Sequence, residues 1–209
     1  MKNKGALLVF AKTPEAGKVK TRLISDIGIT AATSLYKELL TRTLNTSANS
    51  IFLEKQLWLS GKKGHSFFDN FNKINVFKVM QQSGTNLGEK MFNAFNHALT
   101  EYAYAVLIGC DCPALTISDL KTTTTMLEAD KDIVLGPAKD GGYYLIALKK
   151  NYIDLFSDIE WGTDTVFSNT LSKAKGLNLN IGLLTKRNDI DRVTDIPVFE
   201  EIKKQECAH

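Results

Sequence analysis

The sequence predicts an α/β fold of three layers, with helices on both faces of a mostly parallel sheet. Two observations lead there. Short, nearly continuous apolar runs alternate with longer segments whose apolar residues recur at helical spacing, as when each helix returns the chain to begin a new parallel strand. Capping patterns open two of the longer segments at the points where helical periodicity begins.

Taken in order, GALLVFA (5–11) predicts a buried strand that ends at a basic loop. Residues 30–48 predict a helix, with Leu35, Leu39, Leu40 and Leu44 along one face. QLWLS (56–60) and INVFKVM (74–80) predict strands. Asn86 and Glu89 form a capping pair that opens a helix through about Tyr102. YAVLIG (104–109) is the most apolar strand, and Thr116 with Asp119 caps a helix through about Ala129. The threonine run Thr122–Thr125 inside that helix is expected at the surface. DIVLGP (132–137) and YYLIALK (143–149) predict strands, 163–175 a helix, 180–185 a strand and 196–205 a last helix.

The chain of 209 residues is expected to form a single domain over 1–209, large enough to bury a core without disulfides. Apolar residues make up 44% and charged residues 23%, an ordinary globular balance. A net charge of +3 is too small for a general nucleic-acid binder. The surplus is concentrated, because residues 12–22 carry Lys12, Lys18, Lys20 and Arg22 against the single acid Glu15. Three cysteines (Cys110, Cys112, Cys207) make a poor disulfide framework, and the start MKNKGALLVFAK, with its short apolar stretch and no small-residue cleavage site, is not expected to serve as a signal peptide. No run approaches the ~20 apolar residues of a membrane helix. The expected location is the cytoplasm, with no membrane span, and a homodimer is left open.

Two of the most unusual segments fall at predicted strand carboxyl ends, where open α/β sheets bind ligands. The first, VFAKTPEAGKVKTRL (9–23), is not a P-loop. Aligned on Gly17-Lys18, that pattern finds Lys12 in place of its first glycine and Val19 in place of its hydroxyl. The second is GCDCP (109–113), which sets the carboxylate of Asp111 where an apolar strand runs out. A lone carboxylate on a rigid rim suits Mg²⁺ or Mn²⁺ sharing substrate phosphates, although an Asp two residues before Pro113, taken alone, is better read as the start of a turn. Zinc is disfavoured, since Cys110 and Cys112 are one residue apart and His65, His97 and His209 are scattered. The cysteines are expected to pack in the strand end.

Three further segments are modest alone. In GPAKDGGYYL (136–145), two glycines after Asp140 allow a close approach of ligand or chain, or a plain hairpin turn. DIDRVTD (189–195) offers Asp189 or Asp191 to meet Asp111, or a solvated helix entry. QQSGTNLGEKM (81–91) is a glycine loop before a helix start, able to meet a base or phosphate or simply a capped loop.

Together with AKTPEAGKVKTRL, GTNLGEKM, IGCDCPAL, GPAKDGGYYLIAL and DIDRVTD, the segment IEWGTDTVF completes a motif series. Over roughly residues 5–200 it resembles a bacterial family of nucleotide-diphospho-sugar transferase-like proteins, labelled glycosyltransferase or radical-SAM/selenodomain-associated transferase. It is more distantly similar to phospholactate and molybdenum-cofactor guanylyltransferases. The resemblance implies a GT-A, Rossmann-like α/β/α domain. It also implies that Ala11, Lys12, Gly17, Lys20, Thr21 and Arg22 wrap the nucleotide, with Lys20 and Arg22 on its phosphates. Gly84, Leu87 and Gly88 would lie near the base, and Asp111, completed by Asp189 or Asp191, would hold Mg²⁺ or Mn²⁺. Asp140, Gly141, Gly142 and Tyr143 would line the acceptor side, and Lys20, Arg22, Asp111 and Asp140 would be the catalytic set. Lys12 departs from the family, which often has Arg there; a point charge replaces a planar fork.

The expected activity is transfer from a nucleotide-activated donor to a small-molecule acceptor. In glycosyl transfer the donor is a nucleotide sugar and a nucleoside diphosphate leaves. In nucleotidyl transfer a phosphorylated acceptor attacks a nucleoside triphosphate and pyrophosphate leaves, a reading that the dense basic loop favours. From another class comes a nucleotide-binding module without catalysis. No Ser/His/Asp series points to a covalent nucleophile.

Overall fold

The computed structural model describes residues 3–62, 64–69, 71 and 73–207. His209 lies outside the described residues, as does the side chain of Cys207. Seven strands form one sheet: β1 (Asn3–Lys12), β2 (Glu54–Ser60), β3 (Lys78–Gln81), β4 (Tyr102–Ile108), β5 (Ile133–Pro137), β6 (Tyr143–Leu148) and β7 (Ile181–Leu183). Their spatial order is β3-β2-β1-β4-β6-β5-β7, and every pairing is parallel except the two made by β6. From β1 the chain first builds outward through β2 and β3, then returns to place β4 on the other side. The order therefore reverses between β1 and β4, where the carboxyl ends of the strands leave a crevice.

Alternation along the strands divides the core. Leu7, Val9, Val106 and Ile108 face one side with Leu40 and Leu44 of α1 (Ile24–Ala48) and Leu120 and Leu127 of α4 (Ile117–Ala129). Ala6, Leu8, Ala105 and Leu107 face the other with Met91 and Phe95 of α3 (Leu87–Glu101) and Ala174 of α5 (Val166–Gly176). The result is the expected three-layer sandwich. Because the central strands are covered on both faces, they read in sequence as unbroken apolar runs. The last helix, α6 (Ile196–Cys207), is tied to α1 through Phe199, Leu39 and Ile190, and α2 (Ser66–Asp69) is one short turn.

Both sequence caps form. The Asn86 side chain accepts from Glu89 N at 3.0 Å, and Thr116 and Asp119 close a reciprocal capping box. Other expectations are corrected. Residues 74–76 are a tight helical turn, and the strand expected over 74–80 is confined to 78–81; an edge strand has only one partner to extend it. Helix α1 starts earlier than residue 30, with a break at Gly28 (φ 79°, ψ 162°) that only glycine adopts freely. Thr123 and Thr124, expected at the surface, are buried. Their hydroxyls are satisfied by the carbonyls of Asp119 and Leu120, one turn back.

Candidate functional site

The basic loop is anchored before it presents any charge. Thr13 donates from its backbone to Ser60 O (2.8 Å) and from its hydroxyl to the carbonyls of Ser60 and Lys62. Tyr36 brackets Lys12, accepting from its N–H and donating to its carbonyl. Gly17 turns the chain at φ +77°. Val19 and Leu23 are buried beneath it, leaving Lys12, Lys18 and Arg22 exposed and Lys20 turned inward.

Lys20 is the centre of the site. Its backbone is left-handed (φ 46°, ψ 42°), unusual for a residue with a Cβ, and its side chain is 4% exposed. Nζ lies 2.5 Å from Asp111 Oδ1 and 2.9 Å from Asp191 Oδ1, and donates to Ile190 O at 2.6 Å. Burial alone would depress its pKa; the two carboxylates outweigh burial and leave it raised. Ile190 N donates to Asp111 O at 2.9 Å, pinning the loop after β7 onto the end of β4. Arg22 reaches the other oxygen of Asp191 at 3.4 Å and the carbonyl of Gly162 at 3.3 Å.

Asp191 also belongs to a second grouping. One carboxylate oxygen from each of Asp140, Asp189 and Asp191 falls within 4.8 Å of the others. Strand-like contacts create it: Lys139 N donates to Arg187 O and Arg187 N to Pro137 O, so the loops after β5 and β7 run side by side. Arg187 is fixed in turn by Asp119 at 2.8 Å. Burial first, and the neighbouring negative charge of Asp140 second, push the Asp189 carboxyl up to about 7. Asp140, expected on the acceptor side, thus stands with the candidate metal ligands.

The donor set suits a hard divalent cation. Asp111 Oδ1 is buried, and the cation it meets is the Lys20 ammonium at 2.5 Å. Carboxylate oxygens are the ligands that Mg²⁺ and Mn²⁺ prefer. Cys110 and Cys112 are buried free thiols, Cys110 bonded to Phe10 O. Burial pushes Cys112 up to about 12 and Cys110 higher, away from thiolate chemistry.

The remaining expected residues divide. Ala11 is buried, with its carbonyl accepting from Gln82 Nε2; Thr21 is exposed beside the cluster. Gly84 (φ +132°) lets its loop fold over Glu89, and Leu87 is exposed at the start of α3. Gly88 is buried, and a Cβ there would meet Phe156 O at 2.7 Å and the Trp161 ring at 2.8 Å. Gly142 donates to the carboxylate of Asp140. The space over Gly141 is filled by Asp164. The Tyr143 hydroxyl points at Met91 Sδ (3.9 Å), and burial raises it far above the usual phenol range. Gly88, Gly141 and Tyr143 are thus each packed closely against other parts of the chain. Sequence reasoning gave no role to Tyr36, Gln82, Gly162 or Arg187. Their only signal was position: Gln82 and Gly162 lie inside the motif segments 81–91 and 159–167.

The chain matches the family model described as "Uncharacterized protein conserved in bacteria (DUF2064)" over residues 43–163. No curated protein sequence matches it. Among solved structures it is similar to a "putative nucleotide-diphospho-sugar transferase" from Desulfovibrio desulfuricans G20. That likeness has 31% identity and a TM-score of 0.85 over 93% of this chain and 85% of the other. Two more distant structures share the fold. One is CMP:2-keto-3-deoxy-manno-octonic acid synthetase complexed with CTP, with 10% identity and a TM-score of 0.63 over 98% of this chain and 100% of that one. The other is Rv0371C of Mycobacterium tuberculosis H37Rv in complex with manganese, with 16% identity and a TM-score of 0.58 over 94% and 97%. The sandwich is the nucleotide-diphospho-sugar transferase-like fold of the GT-A type.

Proposed function

The chain belongs to the bacterial family DUF2064, and from the site its fold assembles we propose that it is a metal-dependent transferase using a nucleotide-activated donor. The donor is a nucleotide-diphospho-sugar and the acceptor a small molecule. One observation carries the reading: a cationic loop and four carboxylates meet at the point where strand order reverses. Phosphates need the cations, and a divalent ion bridging phosphates needs the carboxylates.

Arg22, exposed at the rim, neutralises donor phosphate and stabilises charge as it grows on the leaving diphosphate. Lys12 and Lys18 raise the local potential that draws the donor in. Asp111, Asp189 and Asp191, joined by Asp140, would hold Mg²⁺ or Mn²⁺. When bound, such an ion supplies further neutralisation of the phosphates. The loop over Gly84 and Leu87 faces the base side, and Gly142 with the Asp140 turn borders the acceptor side.

The charge of the basic loop also favours nucleotidyl transfer, in which a triphosphate demands more neutralisation and pyrophosphate leaves. The CTP complex of a protein with the same fold adds weight to it. The test is a melting screen of nucleotide sugars and nucleoside triphosphates with Mn²⁺, followed by product analysis for nucleoside diphosphate or pyrophosphate. Stabilisation by nucleotide sugars with diphosphate release supports the first reading, and triphosphates with pyrophosphate the second. In Arg22→Ala, nucleotide affinity should fall about tenfold, the loss of ~1.4 kcal/mol. No stabilisation by any nucleotide removes both.

A further inference from the structure

The position of Lys20 bears on how this site is loaded, and the inference rests on the reading just given. Three oxygens from three residues crowd its ammonium: Asp111 Oδ1, Asp191 Oδ1 and Ile190 O, all within 2.9 Å. An ammonium has three donors. With those neighbours and 4% exposure of the side chain, no face is left to a phosphate oxygen. The same two carboxylates are candidate ligands of a divalent ion. A cation of either kind satisfies Asp111 and Asp191, and both cannot lie between them at once.

We propose that Lys20 is the resident cation of the carboxylate cluster, and that it leaves Asp111 and Asp191 for an anionic ligand when a divalent ion enters. The divalent ion takes over the neutralisation of the carboxylates and the freed ammonium passes to the incoming anion, so no charge is left without a partner. Two features suit Lys20 to moving. Its two carboxylate partners are only partly buried, Asp111 49% and Asp191 29% exposed at the side chain, so an ion has a route to them from solvent. Its left-handed backbone is held only by its surroundings, and the stem is a flexible four-carbon chain. Lys20 thereby links metal entry to phosphate capture, so that metal and nucleotide bind with positive coupling.

The test uses the full chain and Mn²⁺ alone, without nucleotide. Mn²⁺ binding is measured by calorimetry and by the spin-resonance signal of the free ion, in the native protein and in Lys20→Met. The variant should bind Mn²⁺ at least tenfold more tightly, having lost its competing charge. In parallel, reductive methylation read by mass spectrometry follows Lys20 itself in the native protein. Its labelling should be slow without Mn²⁺ and at least fivefold faster with it, while Lys12 and Lys18 are unchanged. Should Lys20→Met fail to fold, the labelling decides alone. Equal or weaker Mn²⁺ affinity in a folded Lys20→Met, or labelling of Lys20 indifferent to bound Mn²⁺, overturns the exchange and leaves the proposed transferase standing. Absence of Mn²⁺ binding to both the native protein and a folded Lys20→Met overturns the metal site and the exchange together.

Discussion

A Cβ atom on Gly141 would lie 2.1 Å from the carbonyl oxygen of Asp164. The close approach that the adjacent glycines allow is made by the chain itself, and Phe167 N donates to Gly141 O to hold it there. This docks the segment between β6 and α5 against the turn that carries Asp140.

Gly141→Ala should therefore be severely destabilising. The side chain would clash with backbone, which cannot rotate away, and the residue sits at φ +93°. A cost of about 3 kcal/mol is expected, read as a drop of roughly 6–12 °C in melting temperature for a chain of this size. Gly142 has ordinary φ and open space except toward Asp140, so Gly142→Ala should cost under ~1.5 kcal/mol. Equal effects at the two positions would show that the Asp164 contact is not what demands glycine.

Asp189 predicts the direction of a pH dependence. Its folded pKa of about 7 lies above the unfolded value of an aspartate. The folded state therefore binds the extra proton between those values, and stability falls as pH rises. The contribution is fully present below about pH 4 and is lost as pH passes through about 7. Partial exposure limits it to roughly 1 kcal/mol. Melting in chelator from pH 5 to 8 should show the decline, and Asp189→Asn should flatten it. A profile identical in the two proteins would exclude Asp189 as its source.

Gly88 and Trp161 should behave as a coupled pair. Gly88→Ala drives a methyl against the indole and Phe156 O, at a cost of about 2 kcal/mol. Trp161→Ala removes one of those neighbours, so the double variant should lose about 1 kcal/mol less than the sum of the singles. Denaturant unfolding of the four proteins measures it. Additivity within ~0.3 kcal/mol would mean that the indole does not press on that glycine.

Much of the fold was legible because its signals are local. The runs around Leu7, Val106 and Val134 report burial on both sheet faces, and the Asn86 and Thr116 side chains cap helices a few residues away. The edges were harder to read. Strand β3 buries little and β7 has three residues, so the apolar pattern around each misled about its length. In the site, Lys20, Arg22, Asp111, Asp189 and Asp191 were all visible as residues at strand ends, and the structure brings them together. Asp140 was visible too, but not its closeness to Asp189 and Asp191.

By itself, then, the sequence determined the alternation of strands and helices, the three layers they must form, and the strand ends at which charge collects. Those follow from periodicity and capping, which each segment carries alone. Only the tertiary structure decided that Lys20 meets a carboxylate 171 positions away, that Asp140 joins Asp189 and Asp191, and that Gly141 receives Asp164. Each of these contacts joins loops from different strands. It depends on sheet order and register, and no local pattern encodes which loop will lie beside which.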